Sequence, residues 1–117
     1  MPKALKSFGN AVKEFRESFG LTQEQLAEAC KLHPVFISQI ERGIKYPSFE
    51  TILKLSKALK TTPGTLMNLA FGFSGERQAA MRQAVIALEK LSRRDLEAAA
   101  AGLTSFSETL RETDKVE

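Results

Sequence analysis

The sequence predicts an all-α fold in which five helices are followed by a C-terminal helical hairpin. Apolar residues recur at intervals of three and four, which is the period of an amphipathic helix and not of a strand. Proline, glycine and small polar residues separate these stretches at positions that helix starts and ends favour. The 117 residues contain no strand-like alternation, internal repeat or low-complexity segment that stands out.

The first two helices are separated by Gly20 and a capping box. Gly20 can adopt the left-handed conformation that ends a helix at low cost. In the capping box, the hydroxyl of Thr22 and the side chain of Gln25 each bond a free backbone amide, so the second helix is expected over residues 23–30. The apolar stripe of the first helix consists of Leu5, Phe8, Val12, Phe15 and Phe19.

The third helix is expected to begin at Pro34, with His33 as its N-cap. Proline at the first helical position loses no intrahelical hydrogen bond, because that amide has no partner in any case. Ile37 and Ile40 are three residues apart on one face, which we expect to be buried, and Gly43 ends the helix.

The fourth and fifth helices are introduced by a cap residue and a neighbouring proline. Tyr46-Pro47-Ser48 predicts a turn whose serine caps the fourth helix. Thr62 and Pro63 predict the start of a short fifth helix in the same way. The residues expected to face inward are Ile52, Leu55, Leu59, Leu66 and Leu69.

Residues 71–75, with two glycines and one serine, form the one expected break, which divides the chain into domains of residues 1–71 and 75–113. A cap signature at residues 92–95 separates two further helices, and the charged chain from Thr113 onward is expected to fray. The last helix has the three-four spacing of a heptad seam. The apolar stripes comprise Met81, Val85, Leu88 and Leu91, then Leu96, Ala99, Leu103, Phe106 and Leu110.

The composition favours a cytoplasmic protein without membrane attachment. Cys30 is the only cysteine, so no internal disulfide can form and a reducing compartment fits. No apolar run reaches the ~18–20 residues of a membrane span, and the N-terminus lacks a signal-peptide pattern. The net charge is +3, and residues 1–70 contain ten Lys and Arg against six Glu, which suits a polyanionic partner.

The segment LTQEQLAEACKLHPVFISQIERG, residues 21–43, resembles the helix-turn-helix of the Cro/repressor (Xre-type) family. The resemblance rests on several features that coincide. They are a Thr-Gln helix start, an inward Leu-Ala pair, a short turn, Ile37, a Glu-Arg-Gly sequence and the Pro-Ser that follows. The resemblance covers about residues 5–70 and implies a five-helix lambda-repressor-like domain. It implies a transcriptional regulator, by preference a repressor, that binds double-stranded DNA at an inverted repeat as a homodimer through the recognition helix, residues 34–42.

The resemblance assigns base readout to the outer face of that helix. Gln39 would bind an adenine edge, Val35 would contact a thymine methyl group, and Ser38 can donate or accept. Pro34 departs from the long polar residue of many relatives, so no relative's operator sequence is transferred. An ordinary solvated helix face is the alternative. The expected base-reading residues are His33, Val35, Ser38 and Gln39.

Other residues match positions at which relatives contact phosphate or hold the fold. Arg16 and Glu41 are expected to form a structural ion pair, and Lys31 and Lys60 stand where glycines are common, so each is expected in a left-handed conformation. A solvated surface is the alternative for the phosphate contacts. Those expected contacts are Thr22, Gln23, Arg42, Lys45 and Tyr46.

The C-terminal hairpin is expected to form the dimer interface, and packing onto the chain's own domain is the alternative. The rival functions are a restriction–modification controller and an antitoxin whose hairpin binds a protein partner. No catalytic motif is present, a lone His33 without a second ligand is no metal site, and no cofactor is expected. The residues expected to dimerise are Met81, Val85, Leu88, Leu96, Leu103, Phe106 and Leu110.

Overall fold

The computed structural model describes the backbone of residues 3–72 and 75–116, and the side chains of residues 3–72 and 76–113. Helices joined by turns and short irregular segments make up these ranges, which contain no strand, so the all-α prediction is confirmed. The helices are α1 (Lys3–Ser18), α2 (Gln23–Cys30), α3 (Pro34–Glu41), α4 (Phe49–Ala58), α5 (Pro63–Phe71), α6 (Gly75–Glu89) and α7 (Arg93–Val116).

The helix starts are those that the local sequence predicts. The Thr22 hydroxyl accepts a hydrogen bond of 3.0 Å from the Gln25 amide, and Gln25 Oε1 accepts one of 2.8 Å from the Thr22 amide. The hydroxyls of Ser48 and Thr62 accept from the amides three residues further along, at 3.1 and 3.0 Å. Each cap satisfies a donor that the first turn of its helix would otherwise leave without a partner.

Two lysines occupy left-handed positions at helix ends, as expected. Lys31 follows α2 with φ 57°, and Lys60 follows α4 with φ 56°. A left-handed lysine costs about 1 kcal/mol relative to glycine because its Cβ crowds the following carbonyl. The Nζ of Lys60 lies 5.7 Å from the centroid of the Phe19 ring, a cation–π contact that offsets part of this cost.

The core lies between the first five helices. Helix α1 packs against α3 and α5, and α2 packs against α3 and α4. This arrangement encloses both helices of the helix-turn-helix pair on their apolar faces, since two short helices cannot bury those faces against each other alone. The largest fully buried apolar side chains are Val12, Phe15, Leu26, Ile37, Ile40, Leu55, Leu59, Leu66 and Leu69.

The first compact unit extends to Ile86, beyond the boundary that the sequence predicted at residues 71–75. Ile86 is buried in the same core as the first five helices. Gln78 Nε2 donates to the carbonyl oxygens of Leu69 and Ala70 at 3.3 and 2.5 Å, which satisfies carbonyl groups near the end of α5. Of the predicted break, Phe73 and Ser74 lie outside the described residues.

An ion pair also joins α6 to α1. The Nε of Arg82 lies 2.9 Å from Oε1 of Glu14, and the Arg82 side chain is about nine-tenths buried. The Nε–H of Arg82 does not point toward Glu14 Oε1, and Arg82 Nε is therefore buried without a hydrogen-bond partner. Glu14 Oε2 is buried without one as well. The attraction therefore comes from charge and not from a well-directed hydrogen bond.

These contacts place one of the predicted dimerisation residues elsewhere. Val85, expected at a dimer interface, packs instead against the core of the first unit. Residues of α6 up to Ile86 belong to the first unit. Helix α7 continues to Val116, past Thr113, where the sequence predicted fraying. No helix in the described ranges is long and apolar enough to cross a membrane.

Candidate nucleic-acid interface

Helix α3 has one buried face and one outward face. Ile37 and Ile40 are fully buried, whereas His33 and Val35 are exposed and the Val35 side chain has 54% of its surface accessible. Ser38 and Gln39 are half-buried along the same outer side. The four residues predicted to read bases therefore lie together, on a helix whose opposite side is held by the core.

The backbone of α1 lies directly against the last turn of α3. A Cβ atom at Gly9 would stand 2.6 Å from the carbonyl oxygen of Glu41 and would also collide with that of Ile40. Gly43 has φ +73°, and a Cβ there would stand 2.8 Å from the Cα of Lys6. Only glycine permits this approach, which brings α1 close enough to fix the end of the recognition helix.

A buried ion pair strengthens the same contact. Arg16 Nε donates to Glu41 Oε2 at 2.7 Å, and Arg16 Nη2 donates to Glu41 Oε1 at 3.0 Å, so the expected pair is present. Arg16 Nη1 also donates to the carbonyl oxygen of Leu21 at 2.7 Å. The hydrogen bond to Glu41 raises the pKa of Arg16, despite an opposing effect of burial, and the guanidinium therefore stays charged.

Gln23 joins this pair, which sequence reasoning did not predict. Its Nε2 donates to Glu41 Oε1 at 3.1 Å, so α1, α2 and α3 meet at one carboxylate. The side chain of Gln23 is thereby held at the start of α2, where free helix amides attract anions. A phosphate contact by Gln23 stays a prediction.

His33 is the N-cap of α3, as expected. Its Nδ1 accepts a hydrogen bond of 3.1 Å from the Val35 amide. In this arrangement the neutral imidazole carries its proton on Nε2, which leaves a donor for a partner outside the protein. A base contact by His33 stays a prediction.

The predicted phosphate contacts precede and follow α3 in the sequence. Arg42, Lys45 and Tyr46 are exposed immediately after the helix, and Arg42 Nε donates weakly to the carbonyl oxygen of Ser38 at 3.4 Å. Thr22 is exposed before α2, although its hydroxyl already serves the capping box. Thr22 and Gln23 come before the base-reading residues in the sequence, and Arg42, Lys45 and Tyr46 come after them.

Sequence reasoning also missed the role of Gly9 and the burial of Ile86. A glycine inside an amphipathic helix signals close approach of another backbone, so Gly9 carried a readable signal. Ile86 lies between Val85 and Leu88 of the predicted stripe, and nothing in the sequence indicated that it would be buried. Within the described ranges, no three His, Cys, Asp or Glu residues are grouped as metal ligands would be.

Comparisons with known proteins agree with this geometry. The helix-turn-helix family model matches residues 12–66. Control protein C.BamHI of Bacillus amyloliquefaciens is 44% identical over 62 residues, which cover 52% of this chain and 76% of that protein.

Two crystal structures resemble the described fold. The restriction-modification controller protein C.AhdI of Aeromonas hydrophila superposes with a TM-score of 0.52 at 39% identity, over 53% of this chain and 94% of its own. The clp gene regulator ClgR of Corynebacterium glutamicum superposes with a TM-score of 0.59 at 33% identity, over 75% of this chain and 93% of its own.

Proposed function

This chain belongs to the helix-turn-helix family of DNA-binding regulators, and from that premise we propose that it is a repressor acting as a homodimer at an inverted-repeat operator. The observation that carries the proposal is the outward face of α3, whose other face is buried. A helix held in this way fits the major groove, which is about 12 Å wide. Contacts to phosphate set the register, and a few α3 side chains select the site.

The dimer is proposed from the apolar surface of α7. Leu96, Leu103, Phe106 and Leu110 follow the heptad spacing, and each is exposed, Phe106 with 61% of its surface accessible. A second copy of the same helix would bury this seam. Two-fold symmetry would then place two recognition helices about 34 Å apart, which is one turn of DNA. Repression would follow from blocking polymerase at an overlapping promoter.

Selection from random duplexes tests the proposal. The purified full chain is expected to enrich an inverted repeat, and its affinity is expected to fall steeply between 50 and 200 mM salt, as several phosphate contacts require. Enrichment of a single half-site would contradict the dimer. No preference for any duplex over heparin would contradict the regulator itself.

A second candidate is a controller of a restriction–modification operon. It is favoured by the similarity to C.BamHI and to C.AhdI, which are control proteins by name. Against it, C.AhdI is matched over nearly its whole length by 53% of this chain, so much of this chain has no counterpart there. Genome-wide footprinting distinguishes the two, because a controller would occupy the promoter of a neighbouring nuclease or methyltransferase gene.

We further propose that the chain acts by binding alone and catalyses no reaction. The one buried acidic residue named above, Glu41, is paired with Arg16, and the one histidine caps a helix. Incubation of an operator duplex with the protein and Mg²⁺ is expected to return the DNA uncut. A new cleavage product would overturn this part of the proposal.

A further inference from the structure

A basic depression lies between the end of α2 and the middle of α4. Its volume is about 260 Å³, and three lysines, Lys31, Lys54 and Lys57, line it. The remaining lining residues are Ala29, Cys30 and Ala58, so the lining includes no acidic residue. We call these three lysines the lysine cluster.

The floor of the depression is held in place by the core. Cys30 is buried, and its Sγ donates to the carbonyl oxygen of Lys54 at 3.7 Å, a weak hydrogen bond between α2 and α4. Burial raises the pKa of the Cys30 thiol, partly countered by the nearby charge of Lys54, and the thiol therefore stays neutral. The positive charge of the cluster is consequently not cancelled by a thiolate beneath it.

Nearby acidic groups leave the cluster positive. Lys54 Nζ lies 3.5 Å from Oε1 of Glu50, but both side chains are exposed, and exposed pairs are screened by water and contribute little. Within the described part of the chain, neither Lys31 nor Lys57 forms an ion pair. Three lysines beside one depression repel one another, so an external anion would lower their energy.

The backbone of Lys31 is in a conformation unusual for lysine. Its φ of 57° is one that glycine adopts without strain, yet the position carries a long cationic side chain. Lys31 also stands only two residues before His33, the N-cap of the recognition helix. One member of the lysine cluster is therefore close in the chain to the start of the base-reading helix.

We propose that the lysine cluster binds phosphate groups of the DNA backbone beside the base-reading helix. This inference rests on the proposed function and extends the interface beyond Thr22, Gln23, Arg42, Lys45 and Tyr46. Lysine suits such a role because it meets phosphate as a mobile point charge. The cluster would strengthen binding to every sequence and would leave the choice of sequence to α3.

The test measures the salt dependence of binding for two charge-matched double variants. Lys54→Gln/Lys57→Gln removes two members of the cluster, and Lys3→Gln/Lys13→Gln removes two exposed lysines of α1. Each lost phosphate contact lowers the slope of log K against log salt by about 0.9. Because each chain occurs twice in the proposed dimer, the cluster variant removes four contacts, and its affinity is expected to fall roughly a hundredfold less than that of the wild type between 50 and 200 mM salt. The α1 variant is expected to follow the wild type.

Lys31→Gly separates a lost contact from a damaged fold. Glycine relieves the left-handed strain, so this variant is expected to melt at a higher temperature while binding every duplex more weakly, with a reduced slope. The ratio of operator to scrambled-duplex affinity is expected to stay at the wild-type value in all variants.

Three outcomes are decisive. A reduced slope in the cluster variants alone supports the inference. Wild-type slopes in both cluster variants, with operator binding intact, would overturn it and leave the lysines to an acidic protein partner. A wild-type chain that binds no duplex would overturn the proposed function itself, which is a different result.

Discussion

Arg16 on α1 binds both carboxylate oxygens of Glu41, the last residue of the recognition helix, with hydrogen bonds of 2.7 and 3.0 Å. The Glu41 side chain is almost fully buried and also accepts from Gln23. This bidentate geometry fixes both the distance and the rotation of α3 relative to α1. The outer face of α3 is therefore oriented by Arg16 and Glu41, neither of which we expect to touch DNA.

Arg16→Met is expected to lower the free energy of unfolding by about 3–5 kcal/mol, because Glu41 would be left as a buried charge without its partner. Thermal unfolding measures the effect. Lys13→Met is the control, since Lys13 is on the same helix in an exposed pair with Glu17, and it should change stability by less than about 1 kcal/mol. An unchanged melting temperature for Arg16→Met would refute the structural role.

Gly9→Ala is expected to destabilise the fold by about 1–3 kcal/mol, because the added methyl group meets the carbonyl oxygens of Ile40 and Glu41. Gly64→Ala on α5 is the matched control, since its Cβ meets only Thr62 Oγ1 at 3.9 Å. The control is expected to be neutral or slightly stabilising. Equal melting temperatures for the two variants would show that α1 can move away from α3 without cost.

Gln39→Ala is expected to cost about 1–3 kcal/mol of discrimination at one base pair in each half-site, since the side chain would no longer bind a base edge. Competition between single-site operator variants measures it. Arg42→Gln provides the contrast, because loss of a phosphate contact should weaken all duplexes equally. The same uniform loss for Gln39→Ala would mean that Gln39 contacts the backbone only.

Phe106→Glu is expected to convert the dimer into a monomer, because two glutamates would face each other in the α7 seam. Sedimentation equilibrium measures the oligomeric state over a range of concentrations. Ala101→Glu adds the same charge on the opposite side of α7 and is expected to leave the dimer intact. A dimeric Phe106→Glu protein would place the interface elsewhere.

The stability of the wild type is expected to decrease at alkaline pH through Cys30. Burial raises the pKa of this thiol in the folded state, so its contribution is complete below the unfolded pKa of about 8.5 and is lost as pH rises toward the folded value. Urea unfolding at pH 7 and pH 10 measures the decrease, with Cys30→Ala as the background. Equal decreases in both proteins would contradict the assignment.

The helix starts could be predicted because their interactions are local. The capping box of Thr22 and Gln25 and the His33 cap each join atoms within three residues, so the chain needs no tertiary contact to form them. The left-handed conformation of Lys31 was expected through resemblance, because relatives commonly have glycine at that helix end. The pairing of Arg16 with Glu41, 25 residues apart, was expected only through resemblance to a family.

The packing partner of α6, beyond residue 71, could not be predicted from local sequence. Periodicity predicted that α6 has an apolar stripe but not which surface covers it, since a stripe can pack on its own domain or on a second chain. Burial of Ile86 and the contact of Arg82 with Glu14 assign α6, up to residue 86, to the first unit. Each contact joins residues of different helices, so the sequence pattern of one helix does not predict it.

By itself, the sequence determined the number and type of the helices, their caps and the outward residues of α3, because these depend on spacing over a few residues. Tertiary structure alone decided that α1 touches α3 at Gly9, that Gln23 joins the Arg16–Glu41 pair, and that three lysines line one depression. These relationships join residues distant along the chain, and their geometry exists only after the core has closed around them.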